Sequence, residues 1–253
     1  MLQEECYDII VIGGGIAGIN TALKLSKSRK VLLLDDRKYW GGRINTKTQP
    51  HYEIGAARFS NKHKFLNRLI KKYQLNKLPL PQNIDYLHKK DDCVEFVSDV
   101  HKILDKYFKG MVAKSNLYTK RELKSMTLFE FMNICSDKET SKQIVNMFGY
   151  VSEIKMMNAY DALNIFKQEF VNTQYYILAE GLSLLCNKMI AGAQQNGCVC
   201  HLNSFVQSAN KKDDVFEVKT TTKTFIGHNV VFAIKGPQLK QFDLLKNIHK
   251  YIE

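Results

Sequence analysis

No apolar run in this 253-residue chain approaches the length of a helix that crosses a bilayer. The opening Met1-Leu2-Gln3-Glu4-Glu5 is acidic and leads straight into an apolar segment, which is not the pattern of a secretory leader. No Cys-x-x-Cys pair occurs. Cys6, Cys93, Cys135, Cys186, Cys198 and Cys200 are scattered, and Cys198-x-Cys200 has no second pair to complete a zinc site. No metal is therefore expected, and reduced thiols in a soluble, cytoplasmic protein are the expectation. No block of like charge occurs either. The net charge is +12, from 37 Lys and Arg against 25 Asp and Glu, but the lysines are spread along the chain. That pattern reads as a solvated basic surface rather than a nucleic-acid tail, and no nucleic-acid module is recognisable. There is no internal repeat. What is present is a hydrophobic content of 45%, enough for a real core, in a length that allows one large or two modest domains.

The first 43 residues hold the most chemistry. Tyr7-Asp8-Ile9-Ile10-Val11-Ile12 reads as a strand and runs into Gly13-Gly14-Gly15-Ile16-Ala17-Gly18, a GxGxxG turn. A helix carrying Ile19, Ala22, Leu23 and Leu25 follows. A second strand, Val31-Leu32-Leu33-Leu34, then ends in Asp35. This is a complete βαβ dinucleotide-binding opening. Gly13 permits the tight turn, Gly15 lets a pyrophosphate approach the backbone, and Gly18 lets the helix pack close to the sheet. The helix N-terminus, at Ile16 and Ala17, offers N–H groups and partial positive charge to phosphates. Asp35 lies about twenty residues after the first glycine, where a carboxylate accepts ribose hydroxyls.

Three regions follow from the pattern, 1–82, 83–174 and 175–253. The first adds a short strand at His51–Ile54. It also holds a helix from about Lys62 to Tyr73, with Ser60 as its N-cap, and an extended Leu78-Pro79-Leu80-Pro81 connector. The second reads as mostly helical. Its stripes run from Val100 to Val112, from Leu128 after Thr127, from Ile144 to Phe148, and from Ala162 to Phe170. The third holds a helix from Gly181 to about Gln194. Strands are expected at Val199–Leu202, Phe205–Ser208, Val215–Lys219, Lys223–Ile226 and Val230–Ile234, with a turn at Lys211-Lys212-Asp213-Asp214. The unbroken apolar run Val230–Ile234 suits a strand buried on both faces.

At Leu33-Leu34-Asp35-Asp36-Arg37-Lys38-Tyr39-Trp40-Gly41-Gly42-Arg43-Ile44-Asn45-Thr46 the sequence resembles the flavin-containing amine oxidases, which join an acid-terminated strand through a short basic linker to GGR-x-x-T. The resemblance favours FAD over NAD. An NAD enzyme fits Asp35 but leaves Gly41-Gly42-Arg43 unexplained. It implies that Asp35, with Asp36 and Arg37 beside it, serves the adenosine. Gly41, Gly42 and Arg43 then line the flavin and its phosphates. Tyr52-Glu53-Ile54-Gly55-Ala56-Ala57-Arg58-Phe59 is similar to the L-amino-acid oxidase branch. There Arg58 would clamp the substrate carboxylate, the alternatives being that it neutralises Glu53 or another acid, or contacts the cofactor. His63 reads as a surface residue. Tyr175 to Leu185 resembles the family's return into the FAD domain, with Glu180 in place of a usual glycine. His201 to Val206 resembles the strand whose valine backbone holds adenine, which makes Val206 the candidate.

The implied fold is α/β: a Rossmann-like FAD/NAD(P)-binding domain interrupted by a mostly helical substrate-domain insertion. The implied reaction is hydride transfer from an amine or L-amino acid to flavin. The resulting imine hydrolyses to keto acid or aldehyde and ammonia, and oxygen returns as peroxide. The resemblance covers only the first half of the family. A non-catalytic FAD-binding module, or half of a split enzyme completed by a partner chain, is therefore the alternative.

Overall fold

The computed structural model describes residues 5–81, 86–90, 93–169 and 173–252. In chain order the first elements are β1 (Cys6–Ile12), α1 (Ile16–Leu25), β2 (Val31–Leu34), β3 (Thr46–Thr48), β4 (His51–Glu53), β5 (Phe59–Ser60), α2 (Lys64–Lys72) and β6 (Lys77–Pro79). The hairpin β7 (Tyr86–Lys90) and β8 (Cys93–Val97) follows. The helices α3 (Val100–Ser115), α4 (Lys120–Lys124), α5 (Leu128–Cys135), α6 (Lys138–Phe148), α7 (Val151–Met156) and α8 (Ala159–Glu169) come next. The chain closes with β9 (Tyr175–Leu178), α9 (Leu182–Gln195), β10 (Val199–His201), β11 (Val206–Lys212), β12 (Val215–Thr220), β13 (Thr224–Phe232), α10 (Gly236–Leu239) and a 3₁₀ helix over Asp243–Tyr251.

Two compact units result. One comprises Met1–Arg58, Phe65–Leu78 and Ile177–Glu253, the other Phe59–Lys64 and Pro79–Tyr176. The first is built on a six-stranded sheet in the order β10-β2-β1-β13-β12-β11. β10, β2, β1 and β13 run parallel, while β13, β12 and β11 form an antiparallel meander. All four residues of β2 are buried, as a parallel strand covered on both faces requires. Each of its leucines contributes on the order of 1.5–3 kcal/mol. Tyr7, Ile10, Ile12, Leu32, Leu34, Val206, Ala209, Val218 and Phe242 make one core of this unit.

In the second unit β5 pairs antiparallel with β9, and Phe59 stacks on Tyr176 at 5.9 Å. The helices close on Phe108, Met111, Leu128, Phe131, Met132 and Phe166. Thr127 starts α5 through a reciprocal cap. Its Oγ1 accepts the Glu130 N–H, and the Glu130 carboxylate accepts the Thr127 N–H. Phe170, at the end of the expected stripe, lies outside the described residues.

Four local expectations are corrected and a fifth is refined. The middle region opens with the β7–β8 hairpin, Leu87 facing Phe96, before any helix. The extended connector Leu78-Pro79-Leu80-Pro81 begins as a paired strand, because Lys77–Pro79 forms β6. Ser60 is not an N-cap: it is buried in β5, its N–H donates to His63 Nδ1, and α2 begins only at Lys64. The expected break between Lys223–Ile226 and Val230–Ile234 is absent, since β13 runs unbroken over nine residues. Gly227 is there for space rather than for a turn, because a Cβ on it would lie 2.8 Å from Ile10 Cγ1 on β1. Finally, Val230, Val231 and Phe232 are half-buried, not sealed on both faces. α1 packs on β1 and β2, and the 3₁₀ helix packs on β11, so both covers fall beside β13.

Gly227→Ala should destabilise the first unit by about 1–3 kcal/mol through overpacking against Ile10. Adding Ile10→Val should recover part of that loss, so urea midpoints of the double variant should beat the sum of the singles.

Candidate functional site

The glycine turn and the Gly41-Gly42 loop are built against each other. Gly13 has φ +109°, and a Cβ on it would meet the Ala233 carbonyl at 2.6 Å. Only glycine adopts that angle beside that neighbour without strain. Gly18 packs so closely on the turn that a Cβ would lie 1.8 Å from the Gly13 oxygen. Gly41 donates its N–H to the Gly14 carbonyl at 2.8 Å, and Gly15 and Gly41 form a parallel bridge. Gly42, at φ +63°, lies close enough that a Cβ would be 3.0 Å from the Gly15 Cα. Above Gly15 the situation reverses, for a Cβ there would meet nothing within 4 Å. Gly15 caps α1 without any side-chain hydrogen bond, and the first turn carries no acid. The N–H groups of Ile16 and Ala17 begin the helix, and Ala17 is exposed. An uncapped helix N-terminus beside open space is a cradle for an anion such as pyrophosphate.

Asp35 is buried at the end of β2 and is held by backbone alone. Its Oδ2 accepts the Gly14 N–H and its Oδ1 accepts the Arg37 N–H at 2.9 Å. Burial pushes the Asp35 carboxyl up from the usual carboxylate range. The N–H groups of Arg37 and Gly14 pull it back, and the neighbouring Asp36 adds to the rise. Asp36 itself is exposed. Arg37 turns inward over the loop. Its Nη1 donates to the Gly42 carbonyl and to the Tyr39 hydroxyl at 2.8 Å, with the guanidinium 5.6 Å from the Tyr39 ring centre. It fixes the loop that carries Gly41 and Gly42, a task the resemblance did not imply for it.

The segment before β11 closes the same end of the sheet. The Asp35 N–H donates to the His201 carbonyl at 3.0 Å, Ser204 N–H to the Asp35 carbonyl at 2.8 Å, and Asn203 N–H to the Arg37 carbonyl at 2.9 Å. Val206 follows two residues later, its side chain buried in the core and a bulge directly after it. The structure therefore brings Gly13, Gly15, Ile16, Ala17, Gly18, Asp35, Arg37, Gly41, Gly42 and Val206 to one end of one sheet. Arg43 is exposed, and its carbonyl accepts the Ala56 N–H at 3.2 Å. Arg58, also exposed, lies two residues beyond Ala56.

Sequence reasoning passed over four participants. Gly14 was only the variable position of the motif, yet its N–H holds Asp35 and its Cα faces the Trp40 ring, which a Cβ would meet at 2.5 Å. Trp40 carried no signal beyond its size. Glu53 and Thr46 close the N-terminus of α9. Glu53 Oε1 accepts the Leu182 N–H at 2.6 Å, and its Oε2 accepts the Thr46 hydroxyl at 2.8 Å. Thr46 Oγ1 also accepts the Ser183 N–H at 3.0 Å. Thr46 is the last letter of GGR-x-x-T, whereas Glu53 and Leu182 are 129 residues apart and no local pattern joins them.

Residues 11–73 match the NAD(P)-binding Rossmann-like domain model. Over 103 residues the chain is 32% identical to an uncharacterised protein of Acanthamoeba polyphaga mimivirus, covering 36% of this chain and 20% of that protein. Among solved structures, a wild-type putrescine oxidase bound to putrescine superposes with a TM-score of 0.73 at 15% identity, over 95% of this chain and 61% of that one. A single-site variant of a putrescine oxidase gives 0.75 at 15% identity, over 97% and 63%. The chain thus spans less than two thirds of each of these proteins. At that identity the likeness is one of fold. The fold is α/β with a Rossmann-like domain, as the sequence implied, and it is structurally similar to a flavin amine oxidase. Among the described residues no helix is long and apolar enough to cross a membrane, and no cluster of three or more His, Cys, Asp or Glu could hold a metal.

The sign of the Asp35 shift gives a pH test. A carboxyl whose pKa rises on folding binds protons in the folded state that the unfolded state has released, so its contribution to stability falls as pH rises. The fall begins at the ordinary aspartate value, about 3.9, and ends above the raised one. Asp35→Asn, which cannot ionise, should flatten that part of the curve in urea unfolding from about pH 3.5 upward.

Proposed function

We propose that this chain is the nucleotide-binding part of an FAD-dependent oxidoreductase that oxidises an amine or an L-amino acid. One observation carries the reading: the open, uncapped cradle at Gly15, with the Gly41-Gly42 loop hydrogen-bonded onto it. The glycine turn and Asp35 would suffice for a nicotinamide dinucleotide. The second loop, locked by Arg37 onto Gly42, has no task in that reading and a clear one beside a flavin. The likeness to putrescine oxidase supports the same choice.

The residues fit the group. The N–H groups at Ile16 and Ala17 would donate to a pyrophosphate at the helix N-terminus. Asp35 keeps one lone pair on each oxygen after Gly14 and Arg37 are served, enough to accept ribose hydroxyls. Gly41 and Gly42 carry no side chain to keep a flat ring off the backbone, and the exposed Arg43 can reach an anion. Val206 presents main chain for adenine, and Arg58 would clamp a substrate carboxylate bidentately. When bound, the flavin would supply the hydride acceptor, leaving an imine that water converts to keto acid or aldehyde and ammonia.

A second reading rests on the half-exposed apolar run Val230–Phe232. It is a nucleotide-binding module whose remaining cover comes from a partner chain.

The purified protein should be yellow and release FAD on denaturation. Gly15→Val puts branched carbon into the cradle without touching the rest of the fold. It should weaken FAD binding by about 100-fold, ~2.8 kcal/mol, with little change in Tm. A colourless protein that FAD cannot reconstitute would sink the reading.

Arg58→Ala should keep its flavin and raise KM for amino acids by roughly 10-fold or more. Unchanged amino-acid kinetics in an active protein would remove the clamp.

A further inference from the structure

Cys198 and Cys200 have no role in the site described above. Cys198 immediately precedes β10, and Cys200 is the second residue of that strand. Their Sγ atoms are 3.7 Å apart. Cys198 is buried, while Cys200 is half-buried on an edge strand of the sheet. Two thiols at this distance could share a soft metal or an oxidant. Among the described residues no third His, Cys, Asp or Glu joins them in a metal-sized cluster, and two ligands alone make a poor zinc site. Oxidation needs no third group. A disulfide requires the sulfurs to close by about 1.7 Å, to ~2.05 Å.

We propose that Cys198 and Cys200 are a vicinal dithiol that a hydroperoxide oxidises to an intramolecular disulfide. The Cys200 thiolate attacks the peroxide O–O bond, takes one oxygen as a sulfenic acid and expels hydroxide, which is protonated to water. The Cys198 sulfur then attacks the Cys200 sulfur and forms the S–S bond. The sulfenic oxygen leaves with the Cys198 proton as a second water. Two thiols lose two electrons and two hydrogens, and one hydroperoxide is reduced.

The assignment of roles follows from the surroundings. The hydrogen bond between the two sulfurs favours charge on Cys200, the more accessible partner, and holds the proton on Cys198. Among the described residues the other thiols, Cys6, Cys135 and Cys186, lack this arrangement. Cys186 is fully buried, and burial, with Glu53 adding, pushes its thiol up to about 12. Burial raises Cys135 as well. Cys6 sits 3.7 Å from His228 Nε2 but has no resolving thiol within reach in its hydrogen bonds.

The chemistry does not depend on the flavin reading, because the peroxide is added. The reduced, full-length chain is treated with stoichiometric hydrogen peroxide and digested without reductant. The Cys198–Cys200 peptide should lose two hydrogens, reversibly with dithiothreitol, roughly 10-fold faster than Cys6 is modified. Cys198→Ser should instead leave a sulfenic acid at Cys200 that dimedone traps. Cys200→Ser should leave residue 198 unreacted. Sulfinic acid accumulating at Cys200 in the unaltered chain, or uniform slow oxidation of every thiol, would overturn the proposal.

Discussion

The carboxylate of Asp35 accepts one backbone N–H from the glycine turn and one from its own strand end, and it does so out of water. A buried charge is tolerated only where donors are fixed around it. Here the donors are Gly14 and Arg37, so β1's turn and β2's end cannot move independently. The backbone of the same residue is also engaged, by His201 on one side and Ser204 on the other. Three chain segments, near residues 14, 35 and 203, are thereby tied to one side chain and its peptide groups. A residue with a longer side chain would reach past this arrangement, while a neutral one would leave an N–H without its acceptor.

That junction explains which parts were legible in the sequence. The GxGxxG turn, the four apolar residues of β2 and the terminal acid are contiguous, and each has a local physical reason. The nucleotide half of the fold could therefore be read in order. Long helical stripes such as Val100 to Val112 were equally plain, because a 3.6-residue period over a dozen positions has few competing explanations. The losses came where tertiary contact overrules local pattern. Two strands were expected where β13 runs unbroken, and Gly227 within it is space for Ile10, which is 217 residues away in sequence and adjacent in the sheet. Ser60 looked like a helix cap, but a two-residue strand pairing with Tyr175 took it first.

Arg37 carries a contact that its sequence position does not show. The resemblance implies a place near adenosine, and its guanidinium spans the loop to Gly42, with Tyr39 beneath it. Sequence gives the reach of an arginine but not the competition for its donors. A carbonyl five residues on takes one of them, which pre-organises the loop.

The two long helices of the first unit make the same physical offer at their N-termini and answer it differently. At α9 the glycine cap is followed by Leu182 and Ser183, whose N–H groups are taken by Glu53 and Thr46. The dipole there already faces a carboxylate, and an incoming phosphate would meet negative charge. At α1 no side chain caps the corresponding donors, and Asp35 is turned toward Gly14. Both helices follow glycine, and both lie beside the sheet. Only α1 retains unspent positive potential next to open space. Glycines alone would have nominated either end. The placement of Glu53, invisible locally because its partner lies 129 residues on, fills one end and leaves the other, at Gly15, without a carboxylate acceptor.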